Sequence, residues 1–179
     1  MLQEAIVLNS KIFETMSFSD FKVICNEKVF PCHKVFLAAG SSVFKNMLEA
    51  DMKEAKDGSV EILNHIEIVV ESFVKFFYTK HVEEEVLRNH AIHFFDLGEQ
   101  YQMVGLKKMA EVAMIANLST ENMLKYFFAG DMFHGKKLKE AAKAFIKKNR
   151  KSLVKQDGWR DAVKDRGLLL DLIESLSSE

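Results

Sequence analysis

The hydrophobic and polar positions near the start of the chain change period several times, as expected for a short sheet set among helices. Residues 3–16 carry an approximate helical stripe of apolar side chains. Alternating apolar and polar positions follow, interrupted by the turn-like pairs Asn26-Glu27 and Asp57-Gly58. This pattern predicts a hairpin and one further strand, with strands at residues 20–25, 28–30 and 59–63.

Helical periodicity dominates the remaining chain. A helix from His33 is expected to end with Gly40 as its C-cap, and Ser41 or Ser42 is expected to cap the next helix. Beyond residue 65 the apolar spacing predicts only helices, at about residues 66–79, 85–103, 105–117, 120–134, 137–154 and 158–176. Ser119 or Thr120 is the expected cap of the helix at 120, and no internal repeat of solenoid period is evident.

These elements predict an α+β fold that is mostly helical, with a small three-stranded sheet flanked by helices and an all-α extension after it. Such a sheet is too small for a doubly wound nucleotide-binding fold. The chain has 179 residues, of which 48% are hydrophobic, with one proline and eight glycines. This composition favours helices and a sizeable core in one large domain or two small ones.

Charge is balanced overall but not along the chain. The formal net charge of −1 at pH 7 argues against a nucleic-acid binder held by bulk charge. Residues 1–104 contain 10 Lys and Arg against 16 Asp and Glu, whereas residues 105–179 contain 15 against 10. This asymmetry indicates two segments with different surroundings.

The one strong charge run is the basic segment 136–151. Leu138, Ala142, Phe145 and Ile146 keep an apolar stripe at helical spacing, so the lysines occupy the other face. We interpret this face mainly as solvated helix surface. The alternatives are a docking surface for an acidic partner or nucleic acid, or a nuclear import signal.

Two cysteines and no signal-like start at Met1-Leu2-Gln3-Glu4 predict an intracellular protein in a reducing compartment. The sequence does not distinguish between a nuclear and a cytoplasmic location. No apolar run approaches the roughly 20 residues that span a bilayer, so no membrane partner is expected.

Candidate catalytic and metal sites have weak signals. No glycine-rich phosphate loop occurs, and His90 and His93 have a metal-like spacing without a supporting third ligand. A nucleophile or part of a metal site could be formed by Cys25, Cys32 and His33. The favoured interpretation is that the cysteines are small apolar strand residues beside a polar histidine. We predict that the chain is not an enzyme and has no catalytic residue, metal or cofactor.

A long signature of mixed residue types then appears in Ser19–Val23, Phe30–Ala39 and Ser41–Leu48. It consists of an Asp before a strand, a hairpin, His-Lys-x-x-Leu-Ala-Ala, Ser-x-x-Phe and a Met. This segment closely resembles the BTB/POZ domain family. Phe77-Tyr78-Thr79 resembles the end of that family's next helix.

The resemblance continues through Asn117–Asn122, Ala129–His134 and Gly158–Arg160. These segments resemble the 3-box and BACK-like tail of the MATH-BTB family of speckle-type POZ proteins, without the preceding MATH domain. The resemblance covers nearly the whole chain. It implies a BTB/POZ domain with an N-terminal dimerisation helix at 1–117 and a 3-box/BACK-like helical domain at 118–179.

Members of this type are substrate adaptors of cullin-3 ubiquitin ligases, and protein substrates are engaged through a recognition domain that is missing or separate here. Their BTB domain forms a homodimer and binds the cullin-3 N-terminal domain through a hydrophobic-x-Glu motif, which Met52-Lys53-Glu54 fits. The resemblance implies cullin contacts at Met52, Glu54, Leu48, Tyr78 and Phe133. The alternative function is a BTB homodimer that serves as a cullin-independent interaction or transcriptional-regulatory module.

The resemblance also implies two interfaces between copies. The dimer interface comprises apolar residues of the first helix and the start of the first core helix together with one charged pair: Ile6, Leu8, Ile12, Phe13, Asp20, Lys34, Val35 and Phe36. An ion pair between Asp20 and Lys34 within one chain is an equally good interpretation of these two residues. The second, BACK-mediated interface would use Leu169, Leu172, Ile173 and Leu176. Ile173 stands where the family has a Tyr, which puts the geometry of higher oligomers in doubt.

Overall fold

The computed structural model describes residues 2–50 and 52–149, which fall into two compact units, Met1–Ala110 and a second that begins at Glu111. The strands are β1 (Phe21–Cys25), β2 (Lys28–Cys32) and β3 (Ser59–Glu61). The helices of the first unit are α1 (Leu2–Thr15), α2 (Lys34–Gly40), α3 (Ser42–Glu49), α4 (Lys53–Asp57), α5 (Glu67–Thr79), α6 (Glu84–Gln100) and α7 (Val104–Ala116), which continues into the second unit. The second unit adds α8 (Met123–Met132) and α9 (Lys136–Lys148). The predicted fold class is confirmed.

The sheet is small because its third strand has only three residues. β1 lies in the centre, antiparallel to β2 and parallel to β3. Strand alternation buries Phe21, Val23 and Cys25 on one face of β1. Pro31 lies on the edge strand β2, where its missing N–H limits pairing with a further strand.

Aromatic side chains of α3 and α5 form the centre of the first unit. Phe44 stacks on Tyr101 with ring centroids 4.7 Å apart and meets Phe77 edge to face at 5.7 Å. Gly40 is required here, because a Cβ at that position would lie 2.6 Å from Cδ1 of Phe77. The predicted role of Gly40 as a C-cap is therefore wrong, since Ser41 follows as the cap of α2.

Ser41 also starts the next helix, as one of the two predicted alternatives. Its backbone is extended, and its Oγ accepts a hydrogen bond from the N–H of Phe44 and donates one to the carbonyl of Tyr101. The corresponding prediction for α8 is wrong. That helix begins at Met123 after Asn122, whose side chain instead holds the preceding turn by accepting from the N–H of Ser119.

A helix–turn–helix motif occurs twice, once at α6–α7 and once at α8–α9, although the sequence pattern did not reveal a repeat. A Cβ on Gly98 would lie 2.7 Å from the backbone nitrogen of Lys107, and a Cβ on Gly130 would lie equally close to that of Lys139. In both motifs the two helices approach so closely that only glycine fits.

A lysine occupies the corresponding position in each motif, Lys107 in the first and Lys139 in the second. Its ammonium group contacts the preceding helix. In the first motif this group pairs with Glu99 and lies 5.4 Å from the ring centroid of Phe95. In the second it lies 2.6 Å from Asp131 and 5.7 Å from the ring centroid of Phe127. The sequence analysis missed this motif because few of its positions keep the same residue.

The glycine of the first motif gives a testable contrast in stability. Gly98→Ala is expected to lower the free energy of unfolding by about 1 to 3 kcal/mol, because the new methyl group meets backbone atoms. Gly105→Ala in α7 is the matched control, since its Cβ has 4.0 Å to the nearest atom. We expect that control to be neutral or stabilising by about 0.5 to 1 kcal/mol in urea unfolding. Equal effects of the two substitutions would contradict this close approach.

Candidate protein-interaction surfaces

Met52 is the N-cap residue of a short helix. α4 begins directly after Met52, and the carbonyl of Met52 accepts a hydrogen bond from the N–H of Lys56. Gly58, in the left-handed conformation at φ 65°, ends this helix by donating its N–H to the carbonyl of Glu54. The Met52 side chain is 49% exposed. The chain is therefore helical from the residue that follows Met52.

Glu54 and Leu48 flank this position on neighbouring elements. Glu54 lies in the first turn of α4, where its negative charge interacts favourably with the helix dipole, and Leu48 lies near the end of α3. Both are half-buried. Three of the five predicted cullin contacts thus lie on α3, on α4 or directly before α4.

The other two predicted cullin contacts lie elsewhere. Tyr78 is 1% exposed within α5, so its side chain is not available to a partner that docks on the chain as described. The prediction that Tyr78 makes a direct contact is wrong for this reason. Phe133 caps the end of α8 in the second unit and is half-buried.

Tyr78 instead belongs to a buried hydrogen-bond network with His33, the histidine of the His-Lys-x-x-Leu-Ala-Ala sequence. The Tyr78 oxygen accepts from the backbone N–H of His33 at 3.0 Å and lies 2.8 Å from His33 Nδ1. His33 Nε2 lies 2.8 Å from the carbonyl of Ser17. These partners assign the proton to Nε2, which donates to Ser17, while Nδ1 accepts from the Tyr78 hydroxyl. The network joins the N-cap of α2, α5 and the loop after α1.

The predicted dimer residues fall into two groups, of which the first lies on α1. Phe13 is half-buried and packs on Tyr78 with ring centroids 5.5 Å apart. Ile6 and Ile12 are also half-buried, whereas Leu8 is 60% exposed. α1 therefore packs one side against α5 of its own chain and leaves Leu8 open.

The second group lies where α2 begins. Val35 is 69% exposed, and the half-buried Phe36 stacks on Tyr78 at 4.3 Å. The Asp20 carboxylate accepts a hydrogen bond from the backbone N–H of Lys34 at 2.8 Å. The contact between these two residues is thus a helix N-terminal hydrogen bond to the backbone of Lys34, and the Lys34 ammonium forms no ion pair within the described residues.

The basic face and the tail interface are only partly described. α9 buries Leu138, Ala142 and Ile146 and directs Lys136 and Lys137 outward, which matches the predicted amphipathic pattern. The second-interface residues Leu169, Leu172, Ile173 and Leu176 lie outside the described residues. Among the helices that the structure describes, none is long and apolar enough to cross a membrane.

The two cysteines are buried thiols of the sheet. Burial, together with the nearby charge of Asp20, raises the pKa of Cys32 to about 12. Burial also raises the pKa of Cys25, together with the charges of Glu67 and Glu61. Both thiols therefore stay protonated at neutral pH, which disfavours a nucleophilic role.

A histidine that the sequence analysis did not single out, His65, is 5% exposed and links the loop after β3 to α6. Its Nδ1 lies 3.1 Å from Nδ1 of His93, and its Nε2 lies 3.5 Å from an oxygen of Asp96. Its carbonyl accepts hydrogen bonds from Cys25 and Asn26. Within residues 2–50 and 52–149, no three His, Cys, Asp or Glu side chains are arranged to hold a metal ion.

The burial of His65 has a consequence for stability against acid. Burial lowers the pKa of His65 below 6.5, although the Asp96 charge acts to raise it. Because the unfolded chain then binds a proton that the folded chain resists, stability falls as the pH drops below about 6.5. The burial of Asp96 raises the pKa of that carboxyl and acts in the opposite sense. The contribution of His65 to the pH dependence of stability is therefore isolated only by comparing variants.

We expect His65→Asn to weaken the dependence of stability on pH between about pH 7.5 and pH 6. The measurement is the urea unfolding free energy at both pH values and at a fixed protein concentration. His81→Asn is the control, because His81 is exposed. Identical pH dependence in the wild type and the His65 variant would contradict this assignment.

Taken together, these features define a class of protein. The chain is a small α+β interaction module that exposes apolar side chains at α1, α2 and α4 and has inert thiols. The sequence profile of the BTB/POZ domain matches residues 9–118. The chain belongs to the BTB/POZ domain family.

Individual relatives and structures agree with this membership. The human Kelch repeat and BTB domain-containing protein 3 is 30% identical over 158 residues, which cover 88% of this chain and 25% of that protein. Its mouse counterpart is 34% identical over 116 residues, covering 65% of this chain and 19% of that protein. The BTB domain of zebrafish PATZ1 has the same fold, with a TM-score of 0.53 at 16% identity over 64% of this chain and 91% of that one.

The chain spans about a quarter of the length of the human relative that it matches. That relative is named for Kelch repeats besides its BTB domain. The more specific resemblance to the MATH-BTB family and its BACK-like tail therefore rests on the sequence motifs alone.

Proposed function

We propose that this chain is a substrate-adaptor subunit of a cullin-3 RING ubiquitin ligase. It forms a homodimer through its BTB domain and binds the N-terminal domain of cullin-3, and a missing or separate recognition domain binds the substrates. Membership of the BTB/POZ family and similarity to a Kelch-BTB protein support this role. In this role the chain is not catalytic and acts inside the cell, in the nucleus or the cytoplasm.

The single observation that carries the proposal is the exposed, backbone-fixed thioether of Met52 beside Glu54. Exposure of a methionine is not by itself evidence of a binding site, since single exposed apolar residues are common. Burial in a partner's pocket contributes on the order of 1.5 to 3 kcal/mol, and a thioether adapts well to an irregular pocket. Because α4 already fixes the backbone of this segment, little further ordering is needed on binding.

The test is to mix the purified chain with the cullin-3 N-terminal domain and to measure the mass by light scattering and the affinity by calorimetry. A complex of two chains with two cullin domains is expected. A dimer that does not bind cullin would instead favour the cullin-independent interaction module. A salt-dependent affinity for DNA would favour the basic face of α9 as a binding surface.

In the same proposal the second unit makes a cullin contact of its own as a 3-box. Phe133 at the end of α8 is the contact that this assignment predicts. We retain Phe133 as a proposed cullin contact and replace the role of Tyr78 by an indirect one, through the position of α5.

A further inference from the structure

Two histidines face each other where the loop after β3 meets α6. Nδ1 of His65 lies 3.1 Å from Nδ1 of His93, and the two rings are inclined at 72° with their centroids 5.2 Å apart. His65 is 5% exposed, whereas His93 on α6 is half-buried. The fold thus brings together two imidazole nitrogens from residues that are 28 positions apart in the chain.

The separation of these nitrogens suits two ligands of one metal ion. With metal–nitrogen bonds of about 2.0 to 2.1 Å, two ligand nitrogens are about 2.9 Å apart at a right angle and about 3.3 Å apart at the tetrahedral angle. The observed distance of 3.1 Å lies between these two values. Because a direct hydrogen bond between the rings has a similar length, the choice between the two depends on what surrounds the pair.

A carboxylate lies beside the other ring nitrogen of His65. Oδ2 of Asp96 is 3.5 Å from Nε2 of His65. This carboxylate favours a proton on Nε2 and therefore leaves the lone pair of the neutral ring on Nδ1, which faces His93. A carboxylate behind a ligand histidine is the usual outer neighbour in metal sites, where it fixes the ring and makes the ligand nitrogen more basic.

The charge of Asp96 is also incompletely compensated by the protein. Burial raises the pKa of this carboxyl, and the charges that oppose this shift are those of His65 and His93. Burial in turn lowers the pKa of His65, so that its ring is neutral at pH 7. In the part of the chain that the structure describes, neither a lysine nor an arginine pairs with Asp96. A divalent ion at the histidine pair would supply positive charge next to this carboxylate.

We propose that His65 and His93 bind one divalent transition ion of the zinc type through their Nδ1 atoms. Neutral imidazole is a preferred ligand of such ions, whereas Mg²⁺ and Ca²⁺ prefer oxygen ligands. The described residues supply no third side chain, so solvent completes the coordination. The bound ion ties the loop after β3 to α6 and stabilises the folded chain, in which alone the two histidines are held together. This site is independent of the proposed binding of cullin.

The pair differs from the one whose spacing stands out in the sequence, His90 and His93. α6 is kinked at His90, whose φ of −127° is not helical, so these two residues do not keep the regular spacing of one helical turn. Their ring centroids are 6.3 Å apart, compared with 5.2 Å between His65 and His93. The structure therefore favours a ligand from the loop over the neighbouring histidine of the helix.

The test is a calorimetric titration of the full chain with ZnCl₂ at about pH 7.5, where free imidazole is neutral. We expect one ion per chain, and MgCl₂ is expected to give no binding. His65→Asn and His93→Asn are each expected to weaken zinc binding at least about 10-fold, because the amide does not replace an imidazole ligand. Asp96→Asn keeps both ligands and is expected to weaken binding about 10-fold by removing the outer carboxylate. His90→Asn is the matched control and is expected to bind as the wild type does.

Each result supports or overturns the site. Zinc binding that is lost in the His65 and His93 variants and retained in the His90 variant supports it. Since His93 is half-buried, its variant is expected to fold even where the buried His65 does not tolerate replacement. A wild-type chain that binds no zinc overturns the proposal, as does binding that both the His65 and the His93 variants retain. Binding that requires His90 but not His65 assigns the ion to the helix pair and overturns the proposal as well. None of these results alters the test of cullin binding.

Discussion

Replacing Met52 by Asp is expected to weaken binding of the cullin-3 N-terminal domain at least about 100-fold, which corresponds to about 2.7 kcal/mol. The substitution removes the burial of the thioether and places a charge where the partner offers an apolar pocket. Met52 is half-exposed and makes no contribution to the core of the free chain. The variant is therefore expected to fold and to dimerise as the wild type does.

The controls separate a loss of contact from a loss of structure. Leu63→Asp introduces the same charge at another exposed apolar position and is expected to leave the affinity within about twofold. Glu54→Lys reverses a charge in the first turn of α4 and is expected to weaken binding as well, because it opposes the helix dipole and removes the acid of the hydrophobic-x-Glu motif. Calorimetry supplies the affinities, and light scattering verifies the dimer. Unchanged affinity in both the Met52 and the Glu54 variants would exclude this segment as the cullin contact.

The sequence predicts the α+β class because each element has a strong local signal. The alternation of β1 buries Phe21, Val23 and Cys25 as expected, and Ser41 caps α3 as one of two alternatives. α4 was missed because its five residues are too short for an apolar period to appear. Its signal was the run of helix-forming residues before Gly58, which can take the left-handed conformation of a helix end.

Contacts between distant residues were not predictable in the same way. Gly40 was assigned to a cap, although its absent side chain makes room for Phe77, which lies much later in the chain. Tyr78 was assigned to a partner, although its hydroxyl satisfies the buried polar atoms of His33. In both cases the residue type is explained by tertiary packing, which local propensity does not contain.

The candidate site shows the same division. Leu48, Met52 and Glu54 lie close together in the chain, so a local motif was sufficient to predict them as one segment. His65 was overlooked because the histidine that it faces lies 28 residues later, on another element. The hydrogen bonds of His33 and Asp20 that fix the loop after α1 also join residues on separate elements. A family signature is local in sequence, whereas the contacts that fix this loop form only in the folded chain.

Among the hydrogen bonds that fix the loop after α1, those of the His33–Tyr78 network are expected to contribute most to the stability of the fold. Tyr78→Phe keeps the ring that stacks on Phe36 and packs on Phe13 but removes the hydroxyl. The backbone N–H and Nδ1 of His33 then lose their partner in a buried site. An unsatisfied buried polar group costs about 1 to 3 kcal/mol, so the free energy of unfolding is expected to fall by about 2 to 5 kcal/mol.

Tyr126→Phe is the matched control, because Tyr126 is half-buried and its hydroxyl forms no hydrogen bond within the described residues. We expect that control to change stability by no more than about 0.5 kcal/mol in urea unfolding at one protein concentration. The fixed concentration matters because dimerisation stabilises the folded chain by mass action. Hydrogen exchange adds a local measurement, since the His33 amide should lose protection in Tyr78→Phe before the amides of β2 do. A Tyr78→Phe chain as stable as Tyr126→Phe would show that water replaces the hydroxyl and that the network is not what fixes the loop after α1.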